Sequence, residues 1–387
     1  MRGRDPDETG RSATPLELFF DLVVVVAVAL AAERLHHAYL DGFRPEVLLA
    51  YCIVFFGVWW AWANFSWFAS AYDNDDVVFR LGTFVVMTGA LVLAAGVPQA
   101  FDEQAFTLAV IGYVIMRIAL VGQWLRVSRH DLLRAETARR FAIGITLCQI
   151  GWLVIVIFPS LWPIVWLIFL PAELLVPVWA QRAARIPFHP EHITERYGLF
   201  MIIVLGESVL AASLAIQSVL AGDGVSLDLL GVIVGGLLIV YAMWWIYFDR
   251  PEEHLLETPR SAQAWNYLHL VIFGAVAAVG AGLVVAIEET SGHADLGWAT
   301  VGLAVALPLA IYLAALFLVY LRLPLGRSHR AIVPVTAALI LAAAFAPAPV
   351  LVIGLILAGM VAFKIWLRVR APSPDETETV AQAESGA

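Results

Sequence analysis

Apolar runs of about 20 residues, separated by short polar breaks, follow one another from residue 14 to residue 370. A helix of that length crosses a hydrocarbon layer of roughly 30 Å at 1.5 Å per residue. The pattern predicts spans near 14–36, 46–70, 78–100, 104–126, 139–158, 161–183, 194–220, 227–248, 262–287, 296–321, 329–346 and 348–370. The divisions inside 139–183 and 329–370 rest on Phe158-Pro159-Ser160 and Ala346-Pro347-Ala348-Pro349. The first run carries two acids and no small-residue cleavage site, so it reads as a permanent span rather than a signal peptide. Residues 1–13 and 371–387 are polar and poor in apolar side chains, and read as a flexible and a disordered tail.

The two halves of the chain correspond. Trp59-Trp60-Ala61-Trp62-Ala63-Asn64-Phe65 near the end of the second run matches Trp244-Trp245-Ile246-Tyr247-Phe248-Asp249 near the end of the eighth. Arg139-Arg140 opens the fifth run as His329-Arg330 opens the eleventh. The expected fold class is therefore all-α, a polytopic integral membrane bundle of about 12 helices built as two six-helix repeats, 14–185 and 186–370. Repeats with an even number of spans share one orientation, and sites in such proteins tend to lie between them. With both termini in the cytoplasm, 12 spans put all 23 basic residues on the cytoplasmic side except Arg34, Arg44 and the intramembrane Arg117. That distribution satisfies the positive-inside rule, and the bias to arginine, with Lys364 the only lysine, fits a bacterial genome and hence a bacterial cytoplasmic membrane.

Composition agrees with the pattern. With 61% hydrophobic and 14% charged residues and a mean hydropathy of +0.84, the chain lacks the charge a water-exposed globule needs. Cys52 and Cys148 lie in apolar runs and suggest no disulfide or metal framework. The net charge of −9 collects in tails and loops and does not suggest nucleic acid.

Acids inside apolar runs carry the candidate chemistry, because a central charge costs roughly 2.5–3.5 kcal/mol to insert unless it faces protein or water. Glu17 and Asp21 share one face of the first span. They read either as a cation or proton site, or as a helix cap and an arginine partner. Arg196, Phe200, Ile203 and Glu207 form one stripe of the seventh span, with Arg196 expected at its cytoplasmic edge, too far along the helix to neutralise Glu207. Gly206 and Ser208 beside Glu207 suit a close helix contact. Arg117 requires a partner, for which Glu207, Glu173 and Asp21 all qualify. Glu173 lies between Pro171 and Pro177 in the sixth span. His269, one turn after Asn266, reads as a proton relay or a hydrogen-bonded structural histidine. His189 and His192 precede Glu195 without enough ligands for a metal. Tryptophans 59, 60, 62, 67, 244 and 245 read as interfacial anchors. Walker, dinucleotide, H-E-x-x-H and nucleophile-elbow motifs are absent, so no cofactor, metal or catalytic residue is assigned.

The blocks Thr14-Pro15-Leu16-Glu17-Leu18-Phe19-Phe20-Asp21-Leu22-Val23, Glu195-Arg196-Tyr197-Gly198-Leu199-Phe200 and Ile203-Val204-Leu205-Gly206-Glu207-Ser208 resemble the bacterial low temperature requirement A (LtrA) family. Val23-Val24-Val25-Val26 departs from the family at an apolar position. The resemblance spans about residues 13–370 and implies an integral membrane protein whose family name links it to growth in the cold. It does not imply a reaction. From the residues, the leading expectation is a secondary transporter or channel-like permease. In that reading Glu17, Asp21, Glu173 and Glu207 couple protons or cations, and Arg117, Arg196 and His269 serve as counter-ions or relays. The alternatives are an intramembrane enzyme acting on lipid or a lipid-linked substrate, and a structural or sensory membrane protein. The expected partners are the lipid bilayer and a small solute or cation of unassigned identity, and a homo-oligomer is compatible with the sequence.

Overall fold

The computed structural model describes residues 3–5, 8, 10–42, 44–220, 226–249, 253–292, 295–321 and 327–370. Among them lie twelve α-helices: α1 Pro15–Leu40, α2 Pro45–Tyr72, α3 Val77–Asp102, α4 Thr107–His130, α5 Ala135–Ile157, α6 Trp162–Ala180, α7 Pro190–Leu220, α8 Leu227–Tyr247, α9 Pro259–Thr290, α10 Trp298–Tyr320, α11 Arg327–Ala343 and α12 Pro349–Arg370. Eleven are long and apolar enough to cross a membrane. The exception is α11, whose apolar part, Arg330–Ala343, falls short. The break before α12 lies at Ala344–Ala348, close to the expected Ala-Pro-Ala-Pro.

Local signals set the helix starts. Thr14 caps α1: its hydroxyl accepts from the Glu17 backbone N–H, the Glu17 carboxylate accepts from the Thr14 N–H, and Pro15 opens the helix. Asp76, Ser226 and Thr258 cap α3, α8 and α9 with side-chain oxygens. The described part of the amino-terminal segment is held rather than loose. The Arg4 backbone N–H donates to the Ala71 carbonyl at 2.9 Å, and Arg11 donates to the Ala69 and Ser70 carbonyls at the end of α2. The tail expected at 371–387 lies outside the described residues.

Helix packing follows small residues. Gly89 and Gly112 let α3 and α4 meet backbone to backbone, since a Cβ on Gly112 would lie 2.2 Å from the Leu93 nitrogen. Gly235 and Gly354 do the same for α8 and α12. Helices α2 and α9 are the most deeply enclosed of the long helices. Consequently Trp59, Trp60 and Trp62 are buried, and the expected role of interfacial anchor is corrected for these three. Trp244 and Trp245 remain substantially exposed.

Candidate functional site

The first ionic centre joins the start of α1 to α7 and α2. Glu17, Asp21 and Arg196 are each about 1% exposed or less. Arg196 Nη2 donates to Asp21 Oδ1 at 2.5 Å, and its Nη1 lies 3.0 Å from Glu17 Oε1. Trp62 Nε1 donates to the same Asp21 oxygen at 2.7 Å, and His192 Nε2 lies 3.3 Å from Glu17 Oε2. Ser66 Oγ accepts from Arg196 at 3.3 Å. The cap on Glu17 and the arginine partner for Asp21 are therefore both present. Arg196, expected near the cytoplasmic edge of its span, is enclosed by protein, and two carboxylates one helical turn apart supply the charge its guanidinium requires.

The second centre gathers α2, α4, α5 and α6 around Glu173. Arg117 Nη2 donates to Oε2 at 2.9 Å, as does Trp60 Nε1. Tyr113, Gln149 and Trp152 donate to Oε1 at 3.0, 3.0 and 3.2 Å. This settles which acid neutralises Arg117. Five donors on two carboxylate oxygens leave little capacity for another ligand.

Glu207 differs from both. Among the described residues no hydrogen bond or ion pair reaches it, and it is half-buried on the wall of a cavity of about 540 Å³ between α1, α7 and α9. His36 and Glu288, paired at 3.0 Å, also line this cavity, as do Glu33 and His37. Exposed Val26, Leu210 and Leu214 form its outer wall. The tight contact near Glu207 is made by Ser208 against Gly280 of α9, while Gly206 faces open space.

A smaller cavity of about 110 Å³ lies toward the start of α9, lined by Trp60, Trp67, Trp124, Asn64, Gln263 and Asn266 among others. Between the two cavities sits a buried aromatic layer. Trp62 packs on Phe200 with ring centroids 4.3 Å apart and on Tyr197 at 4.8 Å, and Phe200 meets Phe273 at 5.1 Å. Along α9 the order is Asn266 in the small cavity, Phe273 in the layer, and Ala277 to Glu288 in the large cavity. Asn266 and Ala277 are separated by about 16 Å of helix rise. His269 lies beside this layer, its Nδ1 2.8 Å from the Trp265 carbonyl and its Nε2 3.1 Å from the Tyr247 hydroxyl.

Ser66, Tyr113, Gln149 and Trp152 help complete the two ionic centres and were not singled out from sequence, while His192 was weighed only as a metal ligand and Trp60 and Trp62 only as interfacial anchors. Gln149, an amide inside an apolar run, was the one visible signal. Among the described residues no group of three or more His, Cys, Asp or Glu is placed to hold a metal.

A family model described as bacterial low temperature requirement A protein (LtrA) matches residues 12–365. A curated protein of Rhizobium meliloti (strain 1021), described as uncharacterized, is 27% identical over 294 residues, covering 71% of this chain and 69% of the relative. No solved structure matches the chain significantly.

Proposed function

The chain belongs to the bacterial low temperature requirement A family, and from that premise we propose that it is a proton- or cation-coupled secondary transporter or channel-like permease of the bacterial cytoplasmic membrane. In this reading both termini are cytoplasmic, and the units 14–185 and 186–370 are the two repeats. The observation that carries the proposal is Glu207, a carboxylate in an apolar helix with no hydrogen-bond or ion-pair partner among the described residues, on the wall of a 540 Å³ cavity. A charge in that position is costly unless water, a proton or a cation satisfies it. Glu17, Asp21 and Glu173 take a supporting part, because each is already paired in this conformation, Glu173 with Arg117, and Glu17 and Asp21 with the one guanidinium of Arg196. Arg117 and Arg196 are then fixed counter-ions, and His269 borders the barrier that a moving ion must pass.

Two cavities set toward opposite ends of α9 and divided by an aromatic layer suit alternating access. The test is solute-dependent proton or cation flux in proteoliposomes, with Glu207→Gln at matched insertion. Coupled flux in the native protein and a loss of tenfold or more in the variant is the expected result. Equal flux from both proteins removes Glu207 from the path. A second reading, an intramembrane enzyme acting on a lipid or lipid-linked substrate, draws on the exposed apolar wall of the same cavity, which an acyl chain would cover. Product formed in detergent without any gradient would select it.

A further inference from the structure

The small cavity has a chemistry of its own. Its walls are flat and apolar: Trp60, Trp67, Trp124, Phe141 and Phe188 all face it, and the Trp124 and Phe141 rings stack within 6° of parallel. Four side-chain amides interrupt those walls, from Asn64, Gln181, Gln263 and Asn266. Among the described residues the only charged groups on it are Arg185 and Glu257, both exposed and opposite in sign. A site of this kind excludes net charge from its interior and favours a planar, hydrogen-bonding guest, since aromatic faces stack on flat rings.

The amides specify the guest's edge. Gln263 donates its Nε2 to the Tyr267 hydroxyl at 2.8 Å, which leaves Oε1 as a free acceptor. Asn266 uses Oδ1 to accept from Tyr197, which leaves Nδ2 as a free donor. The two residues are three apart on α9 and share one face of it, so an acceptor and a donor stand side by side on the cavity wall. Asn64 adds a further acceptor, its Nδ2 being engaged by the Trp60 carbonyl at 2.8 Å. An adjacent acceptor and donor complement an adjacent N–H and C=O on a ring, the edge of a lactam.

We propose that this cavity is a binding site for an uncharged planar heterocycle bearing a lactam edge, the chemical class of the pyrimidine-dione nucleobases. The site also borders both ionic centres. Trp60, on its wall, donates to Glu173, while Trp67 donates to Tyr197 at 3.0 Å, and the Tyr197 ring packs on Trp62, the partner of Asp21. As the solute class of a permease, the proposal rests on the transport reading above. As a binding site, it stands without it.

The experiment is equilibrium binding of radiolabelled uracil to the full-length protein in detergent, with no gradient. Saturable binding is expected, with 1,3-dimethyluracil, which keeps the ring and lacks both N–H groups, competing at least tenfold more weakly. Asn266→Asp retains the oxygen that Tyr197 needs and replaces the free donor by an acceptor, so it is expected to lower uracil affinity about tenfold or more without altering the elution profile. Glu207→Gln is expected to bind uracil like the native protein. Absence of saturable binding, or equal binding of 1,3-dimethyluracil, or an unaffected Asn266→Asp variant, overturns the site. Intact uracil binding together with no solute-dependent flux from the native protein overturns the transport reading alone.

Discussion

At the scale of single residues, the buried arginines Arg117 and Arg196 have different surroundings. Arg196 faces two carboxylates and Arg117 faces one, which is supported by four neutral donors. Removing one member of a buried pair strands the other, at a cost of roughly 3–5 kcal/mol. Arg117→Met is therefore expected to lower thermal stability in detergent sharply. Joining Glu173→Gln to Arg117→Met is expected to recover much of that loss, because the pair then leaves no stranded charge and the amide oxygen can still accept from Tyr113, Gln149 and Trp152. Size-exclusion recovery after a heating series reads both. If the double variant is no more stable than Arg117→Met, the pair is not an isolated charge balance. The sequence exposed the acids, because charge in an apolar run is conspicuous, but not their partners. Partner choice depends on which helices touch, and lipid-facing and protein-facing surfaces are equally apolar. The buried tryptophans were misread for the same reason.

At the scale of elements, helix identity was legible from run length and from the proline-containing breaks between runs. What escaped was how each helix is fastened. Helix α12 is tied to α8 by Gly235 against Gly354, and by Asp249, which lies 2.6 Å from Lys364 Nζ and 2.7 Å from Arg368 Nη2. Asp249 stands just beyond the end of α8. Burial pushes its carboxyl upward, but Lys364 and Arg368 outweigh that and hold it below its ordinary value. A depressed carboxyl stabilises the fold fully above its unfolded pKa, and the benefit disappears as pH falls through the folded one. Asp249→Asn is thus expected to cost roughly 1.5–3 kcal/mol near neutral pH. The gap to the native protein should be constant between about pH 6 and pH 8 and close below about pH 4. Thermal unfolding in detergent across that range checks it, and a gap that widens on acidification refutes it.

At the scale of the whole molecule, the repeat inferred from tryptophan and arginine spacing remains a proposal. The arrangement of cavities is a property of packing that no sequence period announces. Phe200, Tyr197, Trp62 and Phe273 come from three helices and meet only because α2 is enclosed between α7 and α9. If this layer is the barrier between the two cavities, thinning it must let ions through without solute. Phe200→Leu keeps the position apolar and removes the ring that stacks on Trp62, a change the core tolerates better than truncation to Ala. The variant is expected to raise the proton leak of proteoliposomes several-fold over the native protein, measured with an entrapped pH-sensitive dye under an imposed potential. The leak should vanish again in Phe200→Leu combined with Glu207→Gln, because the path beyond the barrier runs through the one carboxylate in the large cavity's wall that lies at mid-helix. A leak that persists in the double variant means that the breach bypasses Glu207. No leak in the single variant means that the closure lies elsewhere, because a barrier four rings thick would have lost one of them without consequence.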